Sequence, residues 1–375
     1  MGITKRCPEG EIALDRKIAA LAVGVLLALL LPAAPAHAAE CAGDEVTITG
    51  TEEDDHIVGT EGRDVISALG GNDLIEELEP VDLICPGEGD DTIDGSEQTG
   101  PEPFATVVYQ SASGPMEVDL LLGTAVGEGS DALVGIHSVI GSEFDDILLG
   151  SSDTDRLFGG PGDDQTSGRE ARDFLYGEEG DDQVNGGDGR DYIYGRNPVL
   201  EDIDGSDRGA DALDGGDGND RLFVFSGRDE VLGGAGRDHA DFRPGDEFLV
   251  DLSRSRFEDE AGTGTIRNVE NLEGWGHFIG DGGPNIIEMH GGSANGRRGG
   301  DLLSGRYGTE LEGGRGTDIL RGSDHSDLLR GGRGSDSLIG DNGDDRLFGG
   351  PGFDRAKAGP GRDVCRTERK EACER

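Results

Sequence analysis

From residue 55 onward the chain alternates polar turns and short apolar stretches with a period of nine. Asp recurs at 55, 64, 73, 82 and 91, at 146 to 191, at 211 to 238 and at 318 to 363, which gives 21 rows in one phase. Two residues after each of these Asp residues stands Ile, Leu, Val, Ala or Cys in 20 rows; the exception is Thr166. Gly fills 15 of the 21 positions two before the Asp, and 15 of the 21 positions five before it. The rows Gly215 to Phe223, Gly313 to Arg321 and Gly331 to Ile339 are the most regular. Six residues rich in Gly and Asp predict a turn, because Gly accepts positive φ and Asp bonds locally to the backbone. The three that follow predict a short strand whose pleat sends only the middle, aliphatic residue inward. Each turn reverses the chain, so strands of one direction recur in every second row. The predicted fold class is all-β: a parallel β-roll, or right-handed β-solenoid, of stacked nonapeptide repeats.

Composition changes this picture in one respect. The 375 residues include 68 Gly, only 33% apolar residues and 5% aromatics, too few for a conventional globular core of this length. Asp and Glu number 79 against 33 Lys and Arg, a formal net charge of −46. Such a surface repels phosphates, which excludes nucleic acid as a partner. A disordered acidic chain has no reason to hold three columns in register, so a repeat protein that neutralises its own charge is expected.

That neutralisation calls for a cation. Two aliphatic side chains per two-row coil make a thin core, and stacking brings turn carboxylates within one coil's rise, about 4.8 Å. Like charges so close need a positive charge between them. Carboxylates and Gly carbonyls are hard oxygen donors, which suit several calcium ions better than magnesium or zinc. The row G-G-x-G-x-D followed by an aliphatic two residues on resembles the RTX, or haemolysin-type, calcium-binding nonapeptide repeat. The resemblance implies a β-roll in which calcium lies between one turn and the next turn on the same edge. It implies ligands at Asp64, Asp73, Asp91, Asp164, Asp182, Asp191, Asp220, Asp238, Asp318, Asp336, Asp345, Asp354 and Asp363. Pairs two rows apart in well-formed turns are Asp73 with Asp91, Asp164 with Asp182, Asp220 with Asp238, Asp318 with Asp336, Asp336 with Asp354, and Asp345 with Asp363. The turns ending at Asp82, Asp155 and Asp173 lack the second Gly, and their Asp is expected to act as a local turn former.

The rows define repeat blocks at 39–95, 141–238 and 291–363, with inserts at 96–140 and 239–290 and a C-terminal cap at 364–375. The inserts resemble each other: Val118 and Ile136 stand two rows apart in the first, and Val250 and Val269 almost the same distance apart in the second. That spacing is about one coil, so both are expected to continue the solenoid without calcium turns. At the other end, Lys5, Arg6, Arg16 and Lys17 precede the apolar run Ile18 to Leu31, and Ala36-His37-Ala38 follows. This is the layout of a signal peptide at 1–38, predicting a secreted, extracellular protein with no stable membrane insertion. Export permits disulfides. Cys365 and Cys373 can close a short loop; Cys41 and Cys85 would lie two coils apart in a regular roll, about 9.6 Å, unless the N-terminal segment folds back.

Catalytic motifs are absent from the sequence. There is no H-E-x-x-H, G-x-S-x-G or Walker lysine motif, and the seven His are scattered. The rows begin almost at the predicted mature N-terminus, which leaves no room ahead of them for an enzyme domain. The expected function is a non-enzymatic calcium-binding β-roll that folds on extracellular calcium. A calcium-dependent adhesion or glycan-binding module is the alternative, with a partner at a cell surface. A polysaccharide lyase is a further alternative, and no cluster of Arg or Lys at outward strand positions speaks for it.

Overall fold

Three-residue strands with one buried side chain each follow from the nine-residue period, and the computed structural model has them throughout. It describes residues 40–96, 104–196, 209–225, 228–242, 248–260 and 262–371, all within the unit His37–Arg375. The predicted signal peptide at 1–38 and Cys373 lie outside the described residues. The aliphatic column points inward without exception: from Ile57, 7% exposed, to Cys365, 6% exposed, every residue two after a row Asp is buried, Thr166 included. Strands of every second row pair in parallel, as in Leu320 opposite Leu338 and Leu338 opposite Ala356. The result is a parallel β-solenoid of about 16 turns. Its strands form two facing stacks, with the inward column of each making one continuous core. Among the described residues the sole helical element is the 3-10 turn Leu252–Arg254.

One stack runs from Ile48–Thr49 to Arg369–Glu371, the other from His56–Val58 to Val364–Arg366. They join at two long strands, Asn271–Ile279 and Ile286–Asn295, which pass through the corner from one stack into the other.

The inserts depart from the expected single coil. In the first, Glu117–Asp119, Thr124–Val126 and Ser130–Val134 form an antiparallel meander. Its outer strands join the solenoid in parallel, Ser130–Val134 to Thr92–Asp94 and Glu117–Asp119 to Ile147–Leu149. The second insert repeats this arrangement. Phe248–Asp251, Arg256–Glu258 and Thr263–Arg267 form the meander, flanked in parallel by Glu230–Leu232 and the second half of Asn271–Ile279. The spacings of about two rows therefore mark reversals within one stack and not a coil around two. Both meanders widen the same stack, and the core there needs bulk that single aliphatics do not provide. Tyr109, Met116 and Ala125 fill the first, and Phe242, Phe248, Phe257 and Phe278 fill the second, with Phe242 within 5.0 to 5.6 Å of the other three rings.

The N-terminal segment does fold back. Glu40–Cys41 pairs antiparallel with Asp44–Glu45, and Cys41 packs on the outward residues Val65, Cys85 and Val108. Its Cα lies 5.9 Å from that of Cys85, and the two are disulfide-bonded. Cys365 is also disulfide-bonded, while its expected partner Cys373 is outside the described residues.

Candidate metal centre

Each row Asp stands at the last position of its turn, just before the strand, so the two-row register stacks these residues directly. The backbone N–H of one Asp donates to Oδ1 of the Asp in the next coil. All six pairs expected from spacing are joined this way, at 2.8 to 3.0 Å: Asp73 to Asp91, Asp164 to Asp182, Asp220 to Asp238, Asp318 to Asp336, Asp336 to Asp354, and Asp345 to Asp363. On one edge the ladder runs, with one break, from Asp155 to the C-terminal end of the solenoid. It passes from Asp155 through Asp173, Asp191 and Asp220 to Asp238, then to Glu270. It resumes at Asn285 through Asp301 to Asp318 and ends where Glu368 accepts from Asp354 at 3.0 Å. Glu368 and the strand after it thus cap the stack.

The second carboxylate oxygen, Oδ2, has two fates. In one group of turns the residue four before the Asp is Ser or Thr and donates to it. Thr51 N–H and Oγ1 bond Asp55 at 2.6 and 2.9 Å, and Thr60 bonds Asp64 at the same distances. Ser142 N–H, Ser151 N–H and Ser323 N–H likewise bond Asp146, Asp155 and Asp327. Glu79 N–H does so for Asp82. These turns are closed.

In the other group Oδ2 is buried with no donor: Asp73, Asp91, Asp164, Asp173, Asp191, Asp220, Asp238, Asp301, Asp318, Asp336, Asp345 and Asp354. In every one of these twelve turns the residue four before the Asp is left-handed, with φ from 67° at Asp341 to 107° at Gly332. A left-handed residue turns its N–H away from the carboxylate; Gly332 N–H donates instead to the carbonyl of Gly349 in the next coil. Gly holds this conformation without strain, but Leu69, Arg169, Arg297 and Asp341 hold it too. Glu178 before Asp182 and Gly359 before Asp363 have the same geometry.

A buried carboxylate oxygen without a donor is costly, and the ionised form is held at a disadvantage. Burial, reinforced by neighbouring Asp charges, pushes Asp164 and Asp173 up to about 8. The same causes push Asp91, Asp220, Asp301 and Asp345 up to about 7, and Asp336 to about 6.

The turns also gather carbonyl oxygens. The Gly two before each Asp follows its predecessor so closely that a Cβ on Gly316, Gly334 or Gly352 would sit 1.4 Å from the carbonyl oxygen of the coil before. A Cβ on Gly331 would meet Asp336 Oδ2 at 2.5 Å. Close approach therefore leaves no room for a Cβ at these glycines in either column. Among the described residues no three His, Cys, Asp or Glu side chains converge as a metal cluster. An ion at an open turn must take most of its ligands from backbone carbonyls, with Asp Oδ2 as the charged donor. An all-oxygen set of that kind fits a hard cation with many ligands, namely calcium, and offers nothing to a thiophilic or imidazole-bound metal.

Set against the sequence expectations, the ladder brings together all of the candidate ligands except Asp64 in open geometry. Asp64 lies in the ladder but its second oxygen is taken by Thr60. Asp155 and Asp82 are closed, as their missing Gly suggested. Asp173 is open although Arg169 and Ala171 stand where Gly is usual, both left-handed, with φ of 77° and 80°. Asp301 was missed altogether. Its turn Gly296-Arg297-Arg298-Gly299-Gly300-Asp301 carries both Gly at the right places, but it stands one position out of phase with the series that starts at Asp318.

In comparison with known families, the RTX calcium-binding nonapeptide repeat matches residues 47–76, 138–166, 167–197, 206–240, 304–338, 321–356 and 339–368. No curated protein matches the chain.

Proposed function

The chain belongs to the RTX calcium-binding nonapeptide repeat family, and from that premise we propose that it is an exported, non-enzymatic β-solenoid that binds calcium at its open turns and needs it to fold. The observation that carries this reading is the coincidence of the twelve donorless Oδ2 atoms with a left-handed residue four positions earlier. Bound calcium would supply the positive charge that these oxygens lack. The ligand-bearing residues are then the twelve donorless Asp together with Asp182 and Asp363. Asp64 and the five other closed Asp act as turn formers that are satisfied by the chain itself. Export is supported by the predicted signal peptide and by the disulfide between Cys41 and Cys85. The absence of catalytic motifs from the sequence supports a structural role.

Sites of this kind in extracellular modules bind calcium at about 0.1–1 mM. Each site requires two ordered turns, so neighbouring coils fold together and the transition in calcium is steep. Titration calorimetry on Asp336→Ala and Asp64→Ala tests the assignment. Asp336→Ala lowers the number of calcium ions bound, because Asp336 stacks on Asp318 and Asp354 alike. Asp64→Ala leaves the number unchanged. Equal losses in the two variants would overturn the open and closed classes.

A further inference from the structure

Next to the long carboxylate ladder lies a column of the opposite charge. Arg298, Arg315 and Arg333 each stand three residues before a ladder Asp, at the outermost point of the turn, and all three are exposed. Parallel pairing sets Arg298 opposite Arg315 and Arg315 opposite Arg333, one per coil. Like charges directly opposite on adjacent strands are destabilising. Among the described residues none of the three makes an ion pair, although acidic side chains abound; nearby Arg330 pairs with Glu310 and Arg321 with Asp341. The two steps of the column are unequal in sequence, which hides it there, and only the register brings it together.

The column lines a groove of about 1110 Å³ that also takes in Arg297, Arg330, Phe348 and Pro351. Its carboxylates are Asp281 and Glu312, of which Asp281 already accepts Gly283 N–H at 2.7 Å and Glu312 accepts Asn295 Nδ2 at 3.1 Å. Arg330 is spent on Glu310, which leaves four guanidinium groups without an ion pair among the described residues against two carboxylates, so the groove is net cationic on a chain of net charge −46.

We propose that the groove binds a linear acidic polysaccharide, its carboxylates or sulfates seated on successive arginines of the column. The coil rise of about 4.8 Å matches a polymer that carries one anionic group per sugar ring. An extended acidic peptide repeats on one face only every two residues, about 6.6–6.8 Å, and loses step with the column. Single-stranded nucleic acid calls for a row of aromatic stacking platforms, and the groove has one ring, Phe348. Phe348 and Pro351 offer apolar surface to the face of a sugar, and Arg forks hold carboxylate or sulfate in two-point contact. The proposal goes beyond calcium binding and does not depend on which turns hold the ion.

The test uses the full chain in millimolar calcium with a labelled galacturonate octamer, a sulfated glucan octamer, neutral dextran of equal length, poly-glutamate and oligo(dT), read by fluorescence anisotropy at low salt. The expected result is binding of one or both acidic glycans, with weaker binding of the other three. Comparing the two acidic glycans shows whether carboxylate or sulfate is preferred. R298Q/R315Q/R333Q should lose about tenfold or more in affinity, R298K/R315K/R333K should lose less because it keeps the charge but not the two-point contact, and both should keep the wild-type calcium titration. If the Gln variant loses its β spectrum, Arg315→Gln alone is read, with a loss of about threefold expected. Tighter binding of poly-glutamate or oligo(dT), equal affinity of the wild type and the Gln variants, or no glycan binding at low salt would overturn the proposal. A defect in calcium titration with intact glycan binding would count against the calcium assignment alone.

Discussion

The first rows and the last rows of the solenoid share one register and one buried column, yet they solve the same electrostatic problem in different ways. Between Gly50 and Asp94, three of five row carboxylates are closed, by Thr51, Thr60 and Glu79. This block is also tied by the disulfide between Cys41 and Cys85 and by the ion pair of Arg63 with Asp44. Between Gly313 and Asp363, Asp318, Asp336, Asp345 and Asp354 all have a donorless Oδ2, and only Asp327 is closed, by Ser323. A hydroxyl residue four before the Asp makes the turn self-sufficient, whereas a left-handed residue there leaves a buried oxygen without a donor. On the proposed reading, dependence on calcium is therefore a local property, decided turn by turn.

The largest expected effect separates the two ends. In excess chelator, amide exchange across 313–363 should rise toward that of an unfolded chain, while 56–85 keeps part of its protection. Mass spectrometry of the exchanged peptides would erase the contrast if both ends opened together.

Acidity should shift the same balance. Burial raises the folded values of Asp336 to about 6, of Asp91, Asp220, Asp301 and Asp345 to about 7, and of Asp164 and Asp173 to about 8, against about 3.9 in an unfolded chain. The stability they contribute without metal is present below that unfolded value and is lost as pH rises through the folded ones. The calcium-free protein should therefore melt at a higher temperature at pH 5 than at pH 8.5. With calcium in excess the trend should reverse, because protons compete for the same oxygens. Thermal melts at both pH values, with and without calcium, decide this.

Breaking the staple should weaken only the first rows. A sequence separation of 44 makes the disulfide of Cys41 with Cys85 worth about 2–4 kcal/mol. Cys85→Ser should speed local exchange around 56–85 and leave calcium stoichiometry unchanged. The finest test swaps the closing residue. Ser323→Gly should open the turn of Asp327 and add binding, and Gly332→Ser should cost one site, both read by calorimetry. Unchanged stoichiometry in both would show that the residue four before the Asp does not set the class.

How much of this was legible depended on whether a feature lay within one row. The inward column and the ladder follow from a nine-residue period, and both are present from Ile57 to Cys365. The class of a turn was also written in the sequence, at Thr60 and Ser323, but the Gly columns drew attention to the wrong position. Asp173 and Asp301 escaped for separate reasons. The left-handed state of Arg169 is imposed by the neighbouring coils against its own preference, and the turn of Asp301 is complete but out of phase.

The order of turns, strands and inward residues was determined by the sequence itself, because period, strand length and pleat are local and each row repeats the same instruction. The tertiary structure alone decided what depends on contacts between rows. The meanders of the two inserts arise because reversing within a stack buries Tyr109 and the four Phe rings, which a plain coil cannot hold. The fold-back of Cys41 onto Cys85 crosses two coils. Stacking likewise turned arginines from separate rows into a column and buried the carboxylates that their own turns leave without a second donor. Distances between coils are set by the register of the stack, and no single row contains it.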